Sequence, residues 1–198
     1  MINFAEDLAY WYLRFNGFFL LRNFVLHRVD QVEGKRARGA ADFDLLAIRF
    51  PYVYEKIGGQ KNDWDCKQFE DWGIEIDKFH LAFIVEVTSG KNVNLKEKYP
   101  YERLEQAIWR FGIFPKDEVS CIVKILYQKK KYIKEPWVIA KLAVTERNIQ
   151  GPWLNLLLDD ADKFIQERIK AYSYRKYSDR VYFPDALIQY LAWKKNNR

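Results

Sequence analysis

The segment 80–91 reads HLAFIVEVTSGK and forms the centre of the predicted sheet. Residues 81–85 are apolar without interruption, which is typical of a central β-strand covered on both faces. Glu86 ends this run, in a place where burying a carboxylate costs several kcal/mol unless a cation or hydrogen bonds compensate it. The strand therefore predicts both a buried sheet and a compensated acid.

A second acid has the same unusual setting. Asp44 lies in the apolar strand 41–50, within the sequence ADFDLLA. Two carboxylates on neighbouring strands favour a shared divalent cation, and a ligand set made only of oxygen favours Mg²⁺ or Mn²⁺. The alternative is that each acid pairs separately with an Arg or Lys, or faces solvent.

The elements around these strands predict an α/β domain with a central mixed sheet flanked by helices. Asn16-Gly17 is a stop signal for the first helix. Segment 52–79 is interpreted as an insertion or lid between the two acidic strands, and 151–198 as C-terminal helices packed on the core of one domain, 1–198. The predicted helices are 4–15, 66–72, 100–112, 153–172 and 184–194, and the predicted strands are 18–28, 41–50, 80–88, 119–127 and 137–145, with a basic turn at 129–131.

The composition limits the classes of function. With 198 residues, 49% of them hydrophobic, the chain has ample material for a core. Its net charge of +6 favours a polyanion, nucleic acid above all. Two histidines exclude metal sites built on several histidines. Cys66 and Cys121 are expected as free thiols, and without a signal peptide or membrane span we expect a cytoplasmic protein.

Asp44, followed by Glu86-Val87-Thr88 after a hydrophobic strand, resembles the PD-(D/E)XK nuclease superfamily. The resemblance covers roughly residues 1–127, including the phrases at 8–18 and 44–51, which are similar to uncharacterised bacterial proteins of this group. It implies a restriction-endonuclease-like core. It also implies a metal site formed by Asp44, Glu86, the Val87 carbonyl and Glu6 of the first helix.

The chain departs from the family pattern at Thr88, where the superfamily has a lysine. A threonine holds a water but supplies no positive charge to the phosphate. Lys91 follows three residues later, after Gly90, and is a candidate to replace that lysine. The alternative is that Lys91 is an ordinary solvent-facing loop residue.

Two groups of polar residues are candidates for binding nucleic acid. One is a row at helical spacing on the helix 100–112, which suits phosphate contacts. The other is a basic loop before the Asp44 strand, although such loops are commonly only solvated. The row consists of Arg103, Gln106 and Arg110, and the loop contains Lys35, Arg36 and Arg38.

The expected function is that of a Mg²⁺-dependent endonuclease acting on DNA, with Asp44, Glu86, Thr88 and Lys91 at the catalytic site. The main alternative is a catalytically diverged module that keeps the nuclease fold and binds nucleic acid or protein. The sequence also leaves open a protein partner or a homodimer.

Overall fold

The computed structural model describes residues 4–26, 41–90, 95, 101–172 and 185–196. In that part of the chain, six strands form one mixed sheet with helices on both faces, which confirms the predicted α/β class. The strands are β1 (Phe19–Leu26), β2 (Ala41–Arg49), β3 (His80–Thr88), β4 (Lys131–Lys134), β5 (Trp137–Thr145) and β6 (Leu154–Leu157). The helices are α1 (Phe4–Phe15), α2 (Cys66–Asp71), α3 (Tyr101–Phe111), α4 (Lys116–Gln128), α5 (Leu158–Ala171) and α6 (Ala186–Asn196).

The order of strands in the sheet is β1-β2-β3-β5-β4, and β6 also pairs with β5. The first three strands are antiparallel, whereas β3 and β5 are parallel and pair along their whole length. Helices α3 and α4 occur in the connection between β3 and β5, since parallel strands need a long crossover. The carboxyl ends of β3 and β5 therefore lie at the same edge of the sheet.

Two layers of core enclose the sheet. What we call the first layer lies against α1 and α5, and the second layer lies against α3 and α4. Successive side chains of a strand point to opposite faces, so β3 contributes to both. Its residues Leu81, Phe83, Val85 and Val87 belong to the first layer, and Ala82 and Ile84 to the second.

The segment between β2 and β3, interpreted above as an insertion or lid, is part of the first layer. Short helix α2 lies within the predicted helix 66–72. The segment buries six large apolar side chains in the core rather than presenting them to solvent. They are Trp64, Phe69, Trp72, Ile74, Ile76 and Phe79.

Arg49, at the end of β2, holds this segment in place. Its side chain is fully buried, and its Nε donates to the Asn16 carbonyl at 2.9 Å. Its Nη1 donates to the Ile76 carbonyl at 2.5 Å and to the Phe50 carbonyl at 3.2 Å. Burial lowers the pKa of Arg49 to about 10, which still leaves it charged at neutral pH. The guanidinium therefore links the end of α1 to the segment before β3.

The end of α1 agrees with the stop signal at Asn16-Gly17. Gly17 N donates to the Arg14 carbonyl and Phe18 N to the Leu13 carbonyl, both at 3.1 Å. This pair of bonds is a Schellman turn, which requires a left-handed residue, and Gly17 has φ 82°. A Cβ at Gly17 would lie 2.7 Å from Val53 Cγ1, so the site also excludes any side chain.

Three sequence predictions are wrong. The predicted strand 119–127 is part of helix α4, where residues Val119, Ile122, Val123 and Leu126 are buried at helical spacing. β-Branched residues favour a strand in general, but the spacing of the buried residues here matches one face of a helix. The predicted basic turn 129–131 is also partly wrong, because Lys131 is the first residue of strand β4.

The third error concerns the predicted helix 153–172. Its first residues form strand β6, which pairs in parallel with the second half of β5, and α5 begins only at Leu158. The main chain of β6 is hydrogen-bonded to β5, and a short leucine-rich segment does not show in its own sequence that such a neighbouring strand exists. Among the described residues, no helix has both the length and the apolar character needed to cross a membrane.

Candidate carboxylate site

Asp44 lies at an interruption of the β1–β2 ladder. Arg22 pairs with Leu45 and Phe24 with Phe43, but the intervening Asn23 has a left-handed φ of 50°. Residues two apart in a regular strand point to the same face, but here Leu45 packs in the first layer and Phe43 in the second. The alternation of β2 is therefore broken at Asp44. Asp44 is half-buried at this twist.

Glu86 lies on the neighbouring strand at the same end of the sheet. The β2–β3 ladder runs from Arg49–Leu81 to Leu45–Val85, so Asp44 and Glu86 are the residues just beyond its last pair. Glu86 follows the alternation of Ile84 and belongs to the face of the second layer. Its side chain is only 6% exposed.

A hydrogen bond joins Asp44 to the residue that follows Glu86. The Val87 N–H donates to Asp44 Oδ2 at 2.6 Å, which brings the Asp44 carboxylate against the Glu86–Val87 peptide. The N–H and C=O of one strand residue point to the same side, so the Val87 carbonyl also points toward β2. Asp44, Glu86 and the Val87 carbonyl thus lie at the same end of the sheet, where the pairing of β2 with β3 stops.

Glu6, the third predicted carboxylate ligand, lies in the first turn of α1. The first turn of α1 is attached to β1 by Asp7, whose Oδ1 lies 2.7 Å from Arg22 Nη1, and the Arg22 guanidinium stacks 3.7 Å from the Tyr10 ring centroid. Glu6 is half-buried on this turn. Helix α1 packs in the first layer, whereas Glu86 belongs to the second.

The full predicted ligand set is not grouped. Among the residues that the structure describes, no three or more His, Cys, Asp or Glu side chains lie close enough together to hold a metal ion. Asp44 and Glu86 lie just beyond the last β2–β3 pair, and Asp44 accepts a hydrogen bond from the Val87 N–H. Oxygen ligands of this kind suit Mg²⁺ or Mn²⁺, which retain several water ligands when few protein groups bind them.

Thr88 is the last residue of β3. It is half-buried, and its Oγ1 accepts a long hydrogen bond of 3.5 Å from Gly90 N. Threonine brings no positive charge to this position, where the nuclease pattern has a lysine. Lys91, the candidate replacement, lies outside the described residues.

The polar row on α3 lies on the same face of the sheet as Glu86. Leu104, Ala107 and Ile108 bury the other side of this helix in the second layer. The Arg110 guanidinium lies 5.7 Å from the ring centroid of Phe24 on β1. Arg103 and Gln106 are half-buried. The basic loop with Lys35, Arg36 and Arg38 lies outside the described residues.

Lys141 is a candidate that the sequence reasoning missed. It stands in the middle of the apolar strand β5, and its side chain is 2% exposed. Its Nζ lies 4.9 Å from the ring centroid of Trp153. Burial lowers the pKa of Lys141 to about 8. The signal was the one that identified Asp44 and Glu86, namely a charged residue within an apolar strand.

The register places Lys141 close to the carboxylates. Lys141 pairs with Ile84 on β3, and Glu86 pairs with Ala143, two residues farther along β5. Ile84, Ile139 and Ala143 all pack in the second layer, so Lys141 and Glu86 belong to the same face of the sheet.

Comparison with known proteins adds no relative. No protein-family model matches this chain, and neither the curated proteins nor the solved structures contain a match.

Proposed function

We propose that the chain is a metal-dependent nuclease that hydrolyses phosphodiester bonds of DNA. The observation that carries this proposal is the hydrogen bond from the Val87 N–H to Asp44, which links Asp44 on β2 to the residue after Glu86 on β3. Support also comes from the polar row of α3 on the Glu86 face and from the net charge of +6. The resemblance of Asp44 and Glu86-Val87-Thr88 to the PD-(D/E)XK pattern agrees with this assignment.

In this proposal, Asp44, Glu86 and the Val87 carbonyl hold Mg²⁺ or Mn²⁺. The metal supplies an activated water and stabilises negative charge on the phosphate. The buried position of Glu86 lowers the local dielectric, which strengthens attraction between its carboxylate and a cation. Arg103 and Arg110 orient the nucleic acid through its phosphates, and Gln106 contributes a neutral hydrogen-bonding group.

A second candidate function rests on Thr88. Because β3 ends in a residue without charge where a nuclease of this pattern has lysine, the chain is also consistent with a diverged module that binds nucleic acid or a protein partner without cleaving. Such a module needs the polar row of α3 but not the carboxylates. The two candidates therefore differ in which substitutions matter.

The test is cleavage of labelled single-stranded and double-stranded DNA with Mg²⁺ or Mn²⁺. We expect the wild type to cleave, and Asp44→Asn and Glu86→Gln to lose at least 100-fold in rate while binding DNA normally. Glu70→Gln, at an exposed acid on α2, is the matched control and should cleave like the wild type. Salt-dependent DNA binding without any cleavage would instead favour the diverged module.

A further inference from the structure

Lys141 is a buried cation that forms no ion pair with a carboxylate in the part of the chain that the structure describes. Its ammonium lies 4.9 Å from the Trp153 ring centroid, and burial lowers its pKa. A cation–π contact offsets only part of the cost of removing an ammonium from water.

The position of this cation relative to Glu86 is given by the strand register. Two residues along a strand span roughly 6.6 Å and neighbouring strands lie roughly 4.8 Å apart, so the main chains of Lys141 and Glu86 are diagonal neighbours on one face. Lysine has a long, flexible side chain that rotates about four carbon–carbon bonds. The ammonium therefore has both the Trp153 ring and the end of β3 within its range.

The chemistry of the carboxylate site calls for such a cation. Asp44 and Glu86 repel a phosphate, and one divalent metal balances only their two charges. The reacting phosphodiester adds a negative charge that increases during attack by water, and a positioned donor in a site of low dielectric stabilises it. Thr88 supplies none of this charge. Lys141 is the ammonium that the described structure places on the Glu86 face.

We propose that Lys141 is a phosphate-binding residue of the carboxylate site, and that its ammonium moves from the Trp153 ring to a phosphate oxygen when nucleic acid binds at the end of β3. This inference rests on the proposed nuclease function for its catalytic meaning. The binding of an anion by Lys141 does not depend on cleavage, and the two are measured separately below.

The first measurement is the single-turnover rate of DNA cleavage with Mg²⁺ for wild type, Lys141→Met and Lys141→Arg. We expect Lys141→Met to lose at least 30-fold in rate and Lys141→Arg to retain part of it, since arginine restores the charge. Lys130→Met, at an exposed lysine, is the control for loss of one positive charge and should leave the rate unchanged. Urea unfolding of each variant shows whether a lost rate comes from lost folding.

The second measurement needs no activity. In protein labelled with ¹³C at lysine Cε, the Lys141 resonance is assigned by its loss in Lys141→Arg, and inorganic phosphate is titrated with Mg²⁺ present. We expect a saturable shift of the Lys141 resonance, weakened in Glu86→Gln, while the Lys130 resonance stays in place.

The outcomes separate the two proposals. Cleavage that requires Glu86 but persists in Lys141→Met, without a phosphate shift, would overturn the role of Lys141 and keep the nuclease. A saturable phosphate shift without any cleavage by the wild type would support the anion site and overturn the nuclease. Absence of both effects would overturn both proposals.

Discussion

Replacing Lys141 with methionine tests the energetic cost of this buried cation. Methionine keeps a similar length and apolar stem but removes the charge. A lysine with its pKa lowered from 10.5 to about 8 costs the folded state about 3 kcal/mol at pH 7, since one pKa unit is about 1.4 kcal/mol. The contact with Trp153 returns about 1 kcal/mol. We therefore expect Lys141→Met to raise the free energy of unfolding by about 2 kcal/mol at pH 7.

The pH dependence has a definite sign. Because the folded pKa of Lys141 is lower than the unfolded one, the unfolded chain binds more protons between about pH 8 and 10.5. The stability of the wild type therefore rises with pH across that window, as far as this residue is concerned. Below about pH 8 both states are protonated and the full cost applies, whereas above about pH 10.5 both are neutral and it vanishes.

The assay is urea unfolding followed by tryptophan fluorescence at pH 7, 8, 9 and 10 for wild type, Lys141→Met and the exposed control Lys130→Met. The advantage of Lys141→Met should be nearly the same at pH 7 and 8 and should shrink from pH 8 to pH 10, while the control stays within about 0.5 kcal/mol of wild type throughout. An advantage of equal size at pH 7 and pH 10 would refute the reasoning. So would a Lys141→Met protein that is less stable than the wild type at both values.

Three further variants test the fold and the nucleic-acid surface. Arg49→Met should lower the free energy of unfolding by about 3 kcal/mol in urea unfolding, because it leaves buried main-chain carbonyls without donors; a loss below 1 kcal/mol would contradict this role. Gly17→Ala should cost about 2 kcal/mol and lower Tm, since it combines a left-handed φ with a contact on Val53; an unchanged Tm would show that the turn adapts. Replacing both Arg103 and Arg110 with alanine should reduce the salt dependence of DNA binding, measured as the slope of log K against log salt, by about 2. An unchanged slope would remove α3 from the DNA-binding surface.

The periodicity of side chains was enough to predict most elements. Strand β3, buried on both faces, follows from its continuous apolar run, and α3 follows from one apolar row behind Pro100. The prediction failed for 119–127, where β-branched residues at helical spacing form α4. The spacing of the apolar residues was the better guide there, because it reflects which face a helix buries. Their β-branched composition indicates only a weak preference for a strand.

The candidate site was only partly accessible from sequence. Asp44 and Glu86 were identifiable because a carboxylate within an apolar strand needs compensation. Lys141 has the same signature on β5, and the same argument applied to a cation would have found it. The packing of α1, which carries Glu6, in the first layer was not readable, because it depends on contacts between residues far apart in the chain.

The sequence by itself determined the local features of this protein. These are the apolar central strand, the end of α1 at Asn16-Gly17, and the acids that do not suit their strands, all of which arise from neighbours a few residues apart. The tertiary structure alone decided the contact of Asp44 with the Val87 N–H, the shared face of Glu86 and Lys141, and the pairing of β6 with β5. Each of these depends on strand register between residues far apart in the chain, and a shift of one residue would turn every side chain of a strand to the opposite face.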